Sequence, residues 1–416
     1  MPERAILIGL DVKSRGGARP PSADQLDYSP EESLDELEVL ARSAGAEVIE
    51  KVLQTRDRAE AATLIGSGKV VELSAAAKGQ AADVVVFDRE LSPTQLRNLE
   101  RAFDCRVVDR TQLILDIFAR RARTREGQLQ VELAQLNYLL PRLTGRGVEM
   151  SRLGGGIGTR GPGETQLETD RRRIGRRISK LEDDLDSVRA GRSIQRRQRQ
   201  GVPLATAALV GYTNAGKSTL FNRLTGADVL ADARMFATLD PTVRSTTLPS
   251  HRRILLSDTV GFIRNLPITL VKAFRATLEE VIEAALILHV VDVSSPHAEH
   301  QISHVLKVLA EIGAGETPQV LVLNKIDAAP PGPRAGVPVS ARTGEGVDAL
   351  LAHIDEVIPF DPISTVLLRM PQTEGARISM LYDLGRVKSI RYDEEYCEIE
   401  AEVSESLKRR LSAFIK

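Results

Sequence analysis

The stretch that decides the fold is Gly211-Tyr212-Thr213-Asn214-Ala215-Gly216-Lys217-Ser218, which matches the pattern G-x-x-x-x-G-K-[ST]. An apolar, strand-like run over residues 204–210 precedes it, and a helical pattern over residues 219–224 follows it. The glycines let backbone N–H groups surround a phosphate, the helix N-terminus adds partial positive charge, and the lysine reaches the outer phosphates. The stretch therefore predicts a P-loop, in which Ser218 places its hydroxyl on Mg²⁺.

A metal-binding motif and a switch segment follow the P-loop. Asp258-Thr259-Val260-Gly261 comes after a strand-like run over residues 253–257, and a carboxylate there holds the water shell of a nucleotide-bound metal. The segment between them, Phe236-Ala237-Thr238-Leu239-Asp240-Pro241-Thr242, supplies a threonine for a switch that senses the γ-phosphate. Both motifs point to a nucleoside triphosphate as the ligand.

Two further motifs indicate that the base is guanine. Asn324-Lys325-Ile326-Asp327 closes a strand-like run over residues 319–323, and its carboxylate can accept hydrogen bonds from N1–H and the 2-amino group of guanine. Adenine lacks that pair of donors, and a buried acceptor left unpaired is costly. Ser340-Ala341-Arg342 follows residues 337–339, where small side chains let the backbone approach the base. Five motifs in this order predict a GTPase.

The composition is that of an ordinary folded protein. The chain has 416 residues, enough for two to four domains. No apolar stretch reaches the roughly 18 residues of a membrane span, and the first residues do not resemble a secretion signal. We therefore expect a cytoplasmic protein without an integral membrane segment. Cys105 and Cys397 fall in different predicted domains, which gives a disulfide little support.

The charge is unevenly distributed along the chain. The formal net charge is −1, but residues 119–200 contain 19 basic and 10 acidic residues, which gives this segment a net charge of +9. A basic segment within an acidic chain is typical of a surface that faces nucleic acid. A solvated, arginine-rich helix would have the same composition, so charge alone leaves both interpretations open.

The N-terminal 118 residues alternate short strand-like and helical runs, which is typical of a parallel α/β domain. The strand-like runs cover residues 5–12, 46–53, 82–87 and 105–109, and the helical runs cover residues 30–43, 69–78 and 93–103. Gly66-Ser67-Gly68-Lys69 resembles a phosphate loop but lacks the upstream glycine and the hydroxyl residue after lysine. We predict that it begins a helix, and a second nucleotide site is the alternative.

Residues 119–200 carry two heptad-spaced apolar seams, which predict an antiparallel coiled-coil hairpin. The first seam consists of Leu129, Leu133, Leu136, Leu140 and Leu143, and the second of Ile174, Ile178, Leu181, Leu185 and Val188. Between the seams, six glycines and one proline within residues 150–165 preclude regular structure. A long, glycine-rich, arginine-bearing loop at the tip of a stiff hairpin indicates a function.

We therefore predict a multidomain α/β protein with four parts. These are an N-terminal parallel α/β domain (1–118), an antiparallel coiled-coil hairpin (119–200), a doubly wound P-loop GTPase domain (201–358) and a small C-terminal α+β module (359–416). The module reads as a strand over 365–370, a helix over 374–384, a β-hairpin over 387–403 and a helix over 405–415. None of its residues indicates a particular chemistry.

Taken together, the motifs resemble one family. The sequences GYTNAGKS, FATLDPT, DTVGFIRNLP and NKID, with GGGIGTRGPGETQLETDRR upstream of them, are similar to those of the HflX family of ribosome-associated GTPases. The similarity covers residues 120–345, and its most specific part is residues 154–173. The first 118 residues resemble the family mainly through residues 64–73, and the C-terminal module resembles it weakly.

The resemblance implies a monomeric, cytoplasmic factor that hydrolyses GTP, binds the large ribosomal subunit and separates stalled or idle ribosomes. The hairpin would carry its loop toward the peptidyl-transferase region, where Arg152 and Arg160 would contact 23S rRNA. The family is also credited with ATP binding through the N-terminal region and with peripheral membrane association. A GTPase of ribosome assembly or tRNA metabolism remains an alternative, as does an RNA-remodelling protein that nucleotide regulates.

The resemblance also implies residue roles. Lys217, Asp258 and Gly261 are the expected catalytic residues, because they reach the phosphates, order the metal's water and sense the γ-phosphate. Ser218 and Thr238 are the expected ligands of Mg²⁺. The expected nucleotide contacts are Gly211, Tyr212, Thr213, Asn214, Ala215, Gly216, Lys217, Ser218, Phe236, Ala237, Thr238, Leu239, Asp240, Asp258, Thr259, Val260, Gly261, Asn324, Lys325, Ile326, Asp327, Ser340, Ala341 and Arg342.

At three positions, the identity of the residue bears on the roles expected in the nucleotide site. Spacing alone leaves Thr242 as an alternative to Thr238, although the family pattern favours Thr238. Asn214 matches a P-loop asparagine that holds K⁺ in some related GTPases. Phe262 stands where Ras-like proteins have a glutamine that orients water, and a phenyl ring cannot do so. We therefore expect slow hydrolysis without a partner.

Overall fold

The structure is a computed structural model that describes residues 2–13, 29–143, 166–200, 204–227, 235–236, 238–264, 275–330, 332, 335–359, 363–393 and 395–416. Several predictions fall outside these residues. They concern Arg152 and Arg160, the glycine-rich loop over 150–165, and Ala237 of the switch segment.

The first sheet is parallel, as the alternation of strands and helices predicts. Its four strands have the order β2-β1-β3-β4, and helices connect them. Apolar residues 5–8 of the central strand β1 are all buried, which is expected when helices cover both faces of a parallel sheet. The elements are β1 (Glu3–Val12), α1 (Pro30–Ser43), β2 (Ala46–Arg56), α2 (Ser67–Gly79), β3 (Val84–Phe87), α3 (Pro93–Ala102), β4 (Arg106–Asp109) and α4 (Arg110–Arg121).

Local signals fix the helix starts in this part of the chain. Ser29 caps α1 and Ser92 caps α3, and each cap forms a capping box with a proline in the first turn. Gly66 is the N-cap of α2, so the glycine-rich residues 66–69 begin a helix, as predicted.

Two helices follow the first sheet, α5 (Arg125–Leu139) and α6 (Gln166–Gln200). Three leucines of α5 cluster with Leu181, Leu185 and Val188 of α6. Leu129 belongs to this cluster, whereas Glu132, one turn later in α5, pairs with Arg177, which is earlier in α6. The two helices are therefore antiparallel at this contact.

The first predicted seam is only partly helical in the α form. Helix α5 ends at Leu139, and residues Leu140–Leu143 form a 3₁₀ turn, so Leu140 and Leu143 do not continue the α-helical seam. Pro141 explains the change, because proline lacks the N–H that an α-helix requires at that position.

The second sheet has six strands in the order β10-β9-β8-β5-β7-β6. Five strands are parallel, and the edge strand β6 is antiparallel to β7, which the sequence did not predict. The elements are β5 (Thr206–Gly211), α7 (Lys217–Thr225), β6 (Thr242–Thr247), β7 (Arg253–Asp258), α8 (Arg275–Ile282), β8 (Leu286–Asp292), α9 (Ala298–Glu311), β9 (Gln319–Asn324), β10 (Val337–Val339) and α10 (Val347–Val357).

The C-terminal residues form a small antiparallel sheet in the order β11-β13-β12, with helices on one face. The elements are β11 (Ile363–Pro371), α11 (Gly375–Leu384), β12 (Arg386–Tyr392), β13 (Tyr396–Ser404), α12 (Glu405–Arg410) and a 3₁₀ turn (Ser412–Phe414). The strand, the first helix and the hairpin lie where the sequence predicts them, but the last helix ends at Arg410 instead of residue 415 and is followed by the 3₁₀ turn. Among the helices that the structure describes, none combines the length and the apolar character that crossing a membrane requires.

Candidate nucleotide-binding site

The predicted motifs meet at one edge of the six-stranded sheet. Strands β5, β7, β9 and β10 are parallel, and the P-loop, Asp258, Asn324 and Ser340 lie at their carboxyl ends. A cavity of about 510 Å³ opens there. Its lining residues are Thr213, Asn214, Gly216, Lys217, Ser218, Thr219, Phe236, Thr238, Thr259, Gly261, Asn324, Lys325, Asp327, Ala328, Ala341 and Arg342. Ligands of open α/β sheets bind at this edge.

The P-loop wraps around the Lys217 ammonium. Its Nζ donates to the carbonyl oxygens of Tyr212 over 2.8 Å and Gly211 over 3.2 Å. Gly216 has a φ of 93°, and a β-carbon on it would collide with Asn324 Nδ2, so the loop requires glycine there. Burial lowers the pKa of Lys217 to about 8, against an opposing effect of Asp258. The lysine is therefore held at the start of α7, where the P-loop motif predicts that phosphates bind.

Three oxygen-bearing side chains converge beside the P-loop. Asp258 Oδ2 accepts hydrogen bonds from Ser218 Oγ and Thr238 Oγ1, each over 2.7 Å, and the two hydroxyl oxygens are 2.8 Å apart. Burial raises the pKa of Asp258, while these hydrogen bonds oppose the rise. Asp258 Oδ1 is buried without a hydrogen-bond partner in the described part of the chain. An all-oxygen set of this kind fits Mg²⁺.

The structure places the two candidate switch threonines differently. Thr238 is in this oxygen cluster, whereas Thr242 begins strand β6 and is paired in register with Asp258. Gly261 lines the cavity next to Lys217 and Thr213. Thr238 and Gly261 therefore both lie beside the P-loop, and their roles in sensing the γ-phosphate stay predictions.

Asn324 holds together the loops that the sequence predicts to recognise the base. Its Nδ2 donates to the Ala215 carbonyl over 2.8 Å, and its Oδ1 accepts from the Ala341 N–H over 3.0 Å. Ser340 Oγ donates to Asp327 Oδ1 over 2.5 Å, and this bond is the main reason that the pKa of Asp327 is lowered. Arg342 pairs with the other carboxylate oxygen. Asp327 is thus ionised and oriented at the cavity wall.

Lys325 is positioned by a residue that the sequence analysis did not identify. Its Nζ lies 2.6 Å from Asp292 Oδ2, at the end of β8, and Asp292 Oδ1 accepts from both the N–H and the hydroxyl of Ser294. Thr219 and Ala328 also line the cavity, directly after the predicted motifs. Their adjacency to Ser218 and Asp327 was the signal available in the sequence.

The predicted contacts whose side chains do not line the cavity include Leu239, Asp240, Val260 and Ile326. Leu239 and Val260 are buried with the apolar residues of α1 and α4, and Ile326 is not among the lining residues. The Asp240 carboxylate accepts hydrogen bonds from residues at the start of α5. Tertiary packing therefore turns the side chains of Leu239, Val260 and Asp240 away from the cavity, and their contact with nucleotide stays a prediction.

The Tyr212 side chain is also directed away from the cavity. Its hydroxyl donates to Glu36 of α1 and accepts from the Arg264 N–H over 2.9 Å. Glu36 and Asp88 both pair with Arg110, whose guanidinium is almost wholly buried. The pKa of Arg110 is raised by these carboxylates, although burial opposes the rise. A buried ion cluster therefore connects the P-loop to the N-terminal sheet.

Phe262 belongs to the core. Its ring is buried with Val210, Val281 and Ile287, and its backbone pairs with Gly211 and Thr213. It therefore presents no hydrogen-bonding group to the cavity.

The fold and the site together define a P-loop GTPase. Three family models match consecutive parts of the chain, and their descriptions are GTP-binding GTPase N-terminal (residues 31–119), GTP-binding GTPase Middle Region (121–199) and 50S ribosome-binding GTPase (206–325).

Relatives match over most of the chain. The GTPase HflX of Caldanaerobacter subterraneus subsp. tengcongensis is 49% identical over 388 residues, which are 92% of this chain and 90% of the relative. The GTPase HflX of Escherichia coli is 46% identical and covers 88% of each chain. The chain belongs to the HflX family of GTPases and hydrolyses GTP.

A GTP-binding protein from Sulfolobus solfataricus, solved in complex with GDP, is a more distant match. It is 24% identical, covers 86% of this chain and 98% of its own, and gives a TM-score of 0.46. That similarity is too low to support an argument about function.

Proposed function

We propose that this GTPase binds the large ribosomal subunit and separates stalled or idle ribosomes into subunits in the cytoplasm. Family membership supports the proposal, because the matching model is described as a 50S ribosome-binding GTPase. The observation that carries it is a basic hairpin attached to the GTPase site.

The basic surface lies at the beginning of α6. This helix has 35 residues, so at 1.5 Å per residue it extends about 50 Å. Its first turns expose five arginines on several faces, and one of them also pairs with Glu132 of α5. The five are Arg171, Arg172, Arg173, Arg176 and Arg177. Dense positive charge at the end of a stiff helix suits the phosphates of folded RNA.

The sequence between the two helices carries further arginines. Residues 144–165 join the 3₁₀ turn after α5 to α6, and they contain the glycine-rich loop with Arg152 and Arg160. We propose that these arginines contact 23S rRNA near the peptidyl-transferase centre, because arginine can pair with phosphates and stack on exposed bases.

Magnesium is the cofactor that the oxygen cluster fits. We propose that Ser218 and Thr238 bind it through their hydroxyls and that Asp258 orders its water. When bound, Mg²⁺ neutralises charge on the β- and γ-phosphates. Lys217 supplies a second positive charge at the phosphates, and the Gly261 N–H responds to the γ-phosphate. Asn214, whose side chain is exposed at the cavity, is the proposed K⁺ ligand.

Guanine selection is assigned to Asp327, with Ser340 fixing the carboxylate and Asn324 joining its loop to the P-loop. The proposed domains are residues 1–118, 119–200, 201–358 and 359–416. ATP binding by the first of them, a monomeric state and peripheral membrane association stay predictions from the family resemblance.

The proposal is tested by centrifuging the protein with separated large and small subunits in the presence of GMPPNP, a non-hydrolysable GTP analogue. We expect it to sediment with the large subunit, and we expect the salt sensitivity of binding to decrease when Arg171, Arg172 and Arg173 are changed to glutamine. Binding to the small subunit alone, or to neither, would refute the proposal.

A further inference from the structure

The Asp240 carboxylate, in the switch segment, accepts hydrogen bonds from residues at the start of helix α5. Asp240 Oδ2 accepts from the backbone N–H groups of Arg123 and Thr124, each over 2.9 Å. The Thr124 hydroxyl donates to Asp240 Oδ1 and accepts from the Gly127 N–H over 3.0 Å, as the N-cap of α5. One carboxylate therefore joins the switch to a helix that begins more than a hundred residues earlier.

The Asp240 carboxylate and the first turn of α5 pack so closely that no side chain fits between them. A β-carbon on Gly127 would collide with Asp240 Oδ1 and lie 3.2 Å from Thr124 Oγ1. Glycine is unfavourable within a helix compared with alanine, so its presence in the first turn of α5 needs a reason. Close approach of the carboxylate supplies that reason.

The other side of the switch is anchored by apolar packing. Met235 and Phe236 are buried among residues of α1 and α4, and the rings of Phe236 and Phe118 have centroids 4.5 Å apart in an edge-to-face contact. The Met235 N–H donates to Ser43 Oγ over 3.0 Å. Phe236 has a φ of 57°, which is strained for a bulky residue and persists where surrounding contacts enforce it.

Thr238 lies between these two anchors. Its hydroxyl is 2.7 Å from Asp258 Oδ2 and 2.8 Å from Ser218 Oγ. We propose that Thr124 and Asp240 are positioning residues that hold Thr238 at the metal site, so the chain outside the GTPase domain sets the geometry of the switch. This inference rests on the proposed role of Thr238 as a metal ligand.

The same contact connects the nucleotide site to the hairpin. Helix α5 begins at the Asp240 carboxylate and packs along α6 through its leucines. A displacement of Asp240 therefore changes its hydrogen bonds to the start of α5. By thermodynamic reciprocity, a binding event at the hairpin changes the position of the switch segment.

The test uses the full chain with Thr124→Ala, Asp240→Ala and the conservative variant Thr124→Ser. Fluorescent GDP and fluorescent GMPPNP are titrated with Mg²⁺ present, and amide hydrogen exchange of residues 238–240 is followed. We expect Thr124→Ala and Asp240→Ala to weaken GMPPNP binding about tenfold relative to GDP, because a switch contact favours only the triphosphate state. Exchange at residues 238–240 should become faster, and Thr124→Ser should restore wild-type behaviour.

Ser92→Ala is the matched control, because it removes a similar helix cap in α3 that does not contact the switch. This variant should lower the melting temperature without changing the ratio of the Kd for GMPPNP to the Kd for GDP. Unchanged ratio and exchange in Thr124→Ala and Asp240→Ala would overturn the inference. If exchange becomes faster but Thr238→Ala keeps the wild-type ratio, the metal role of Thr238 is the part that is wrong.

Discussion

The Lys217 ammonium donates to the Tyr212 carbonyl over 2.8 Å in a buried position at the P-loop. Burial lowers the pKa of Lys217 to about 8, so the lysine is mostly charged at neutral pH and mostly neutral above about pH 8. A bound phosphate favours the charged lysine and raises this pKa. Nucleotide binding therefore takes up a proton above pH 8, and we predict that the Kd for GDP rises about tenfold per pH unit there.

Calorimetry in buffers of different ionisation enthalpy measures this proton uptake directly. The control is His289→Gln, because His289 is a titratable group that interacts electrostatically with Lys217 and is not an expected nucleotide contact. Burial lowers the pKa of His289 to about 4, so it is neutral over the range tested and the variant should keep the uptake. A Kd for GDP that stays constant from pH 7 to pH 9.5 would contradict the prediction.

Guanine selection should depend on Asp327. The carboxylate is fixed by Ser340 Oγ at 2.5 Å, so its acceptors are oriented toward the cavity. We predict that Asp327→Asn weakens GTP binding by a factor of about 100 or more and favours xanthosine triphosphate, because an amide donor suits its 2-oxo group. Competition between the two nucleotides measures the preference.

Ser340→Ala is the matched control for this change. It removes the orienting hydroxyl but keeps the carboxylate, so it should weaken GTP binding without creating a preference for xanthosine triphosphate. An Asp327→Asn protein that still prefers GTP would remove Asp327 from base recognition.

A partner should accelerate GTP hydrolysis. Phe262 is buried in the core and offers no group that could orient water. Because groups supplied by a partner can contribute about 10³–10⁵ in rate, we predict slow turnover alone and an increase of at least about tenfold with large subunits. Phosphate release with and without subunits measures the effect. Equal rates in the two conditions would show that the protein completes its own site.

The elements that local chemistry dictates were predictable from the sequence. Helix Pro30–Ser43 has its predicted bounds because Ser29, a proline in the first turn and a glycine just beyond its end specify it locally. The P-loop and the residues after β7, β9 and β10 also lie where their motifs place them, since parallel strands bring their carboxyl ends together.

Contacts between distant segments were not predictable. Nothing near Asp240 in the chain indicates that Thr124 will form hydrogen bonds with it. Likewise, the hydrogen bond from Tyr212 to Glu36 joins residues that are 176 positions apart. The antiparallel edge strand β6 was missed for a similar reason. Its sequence, Thr-Val-Arg-Ser-Thr-Thr, has little apolar character and becomes a strand by pairing with β7.

We propose that the hairpin loop converts GTP binding into subunit separation. We predict that deleting residues 154–163 leaves GTP affinity and basal hydrolysis unchanged, because the loop lies outside all five nucleotide motifs. Lys217→Ala is the control that loses nucleotide binding.

The separation is measured most directly by light scattering of intact ribosomes mixed with GTP and each variant. The account predicts that the full chain separates ribosomes into subunits and that the loop-deleted protein and Lys217→Ala do not. A loop-deleted protein that separates ribosomes at the rate of the full chain would contradict it.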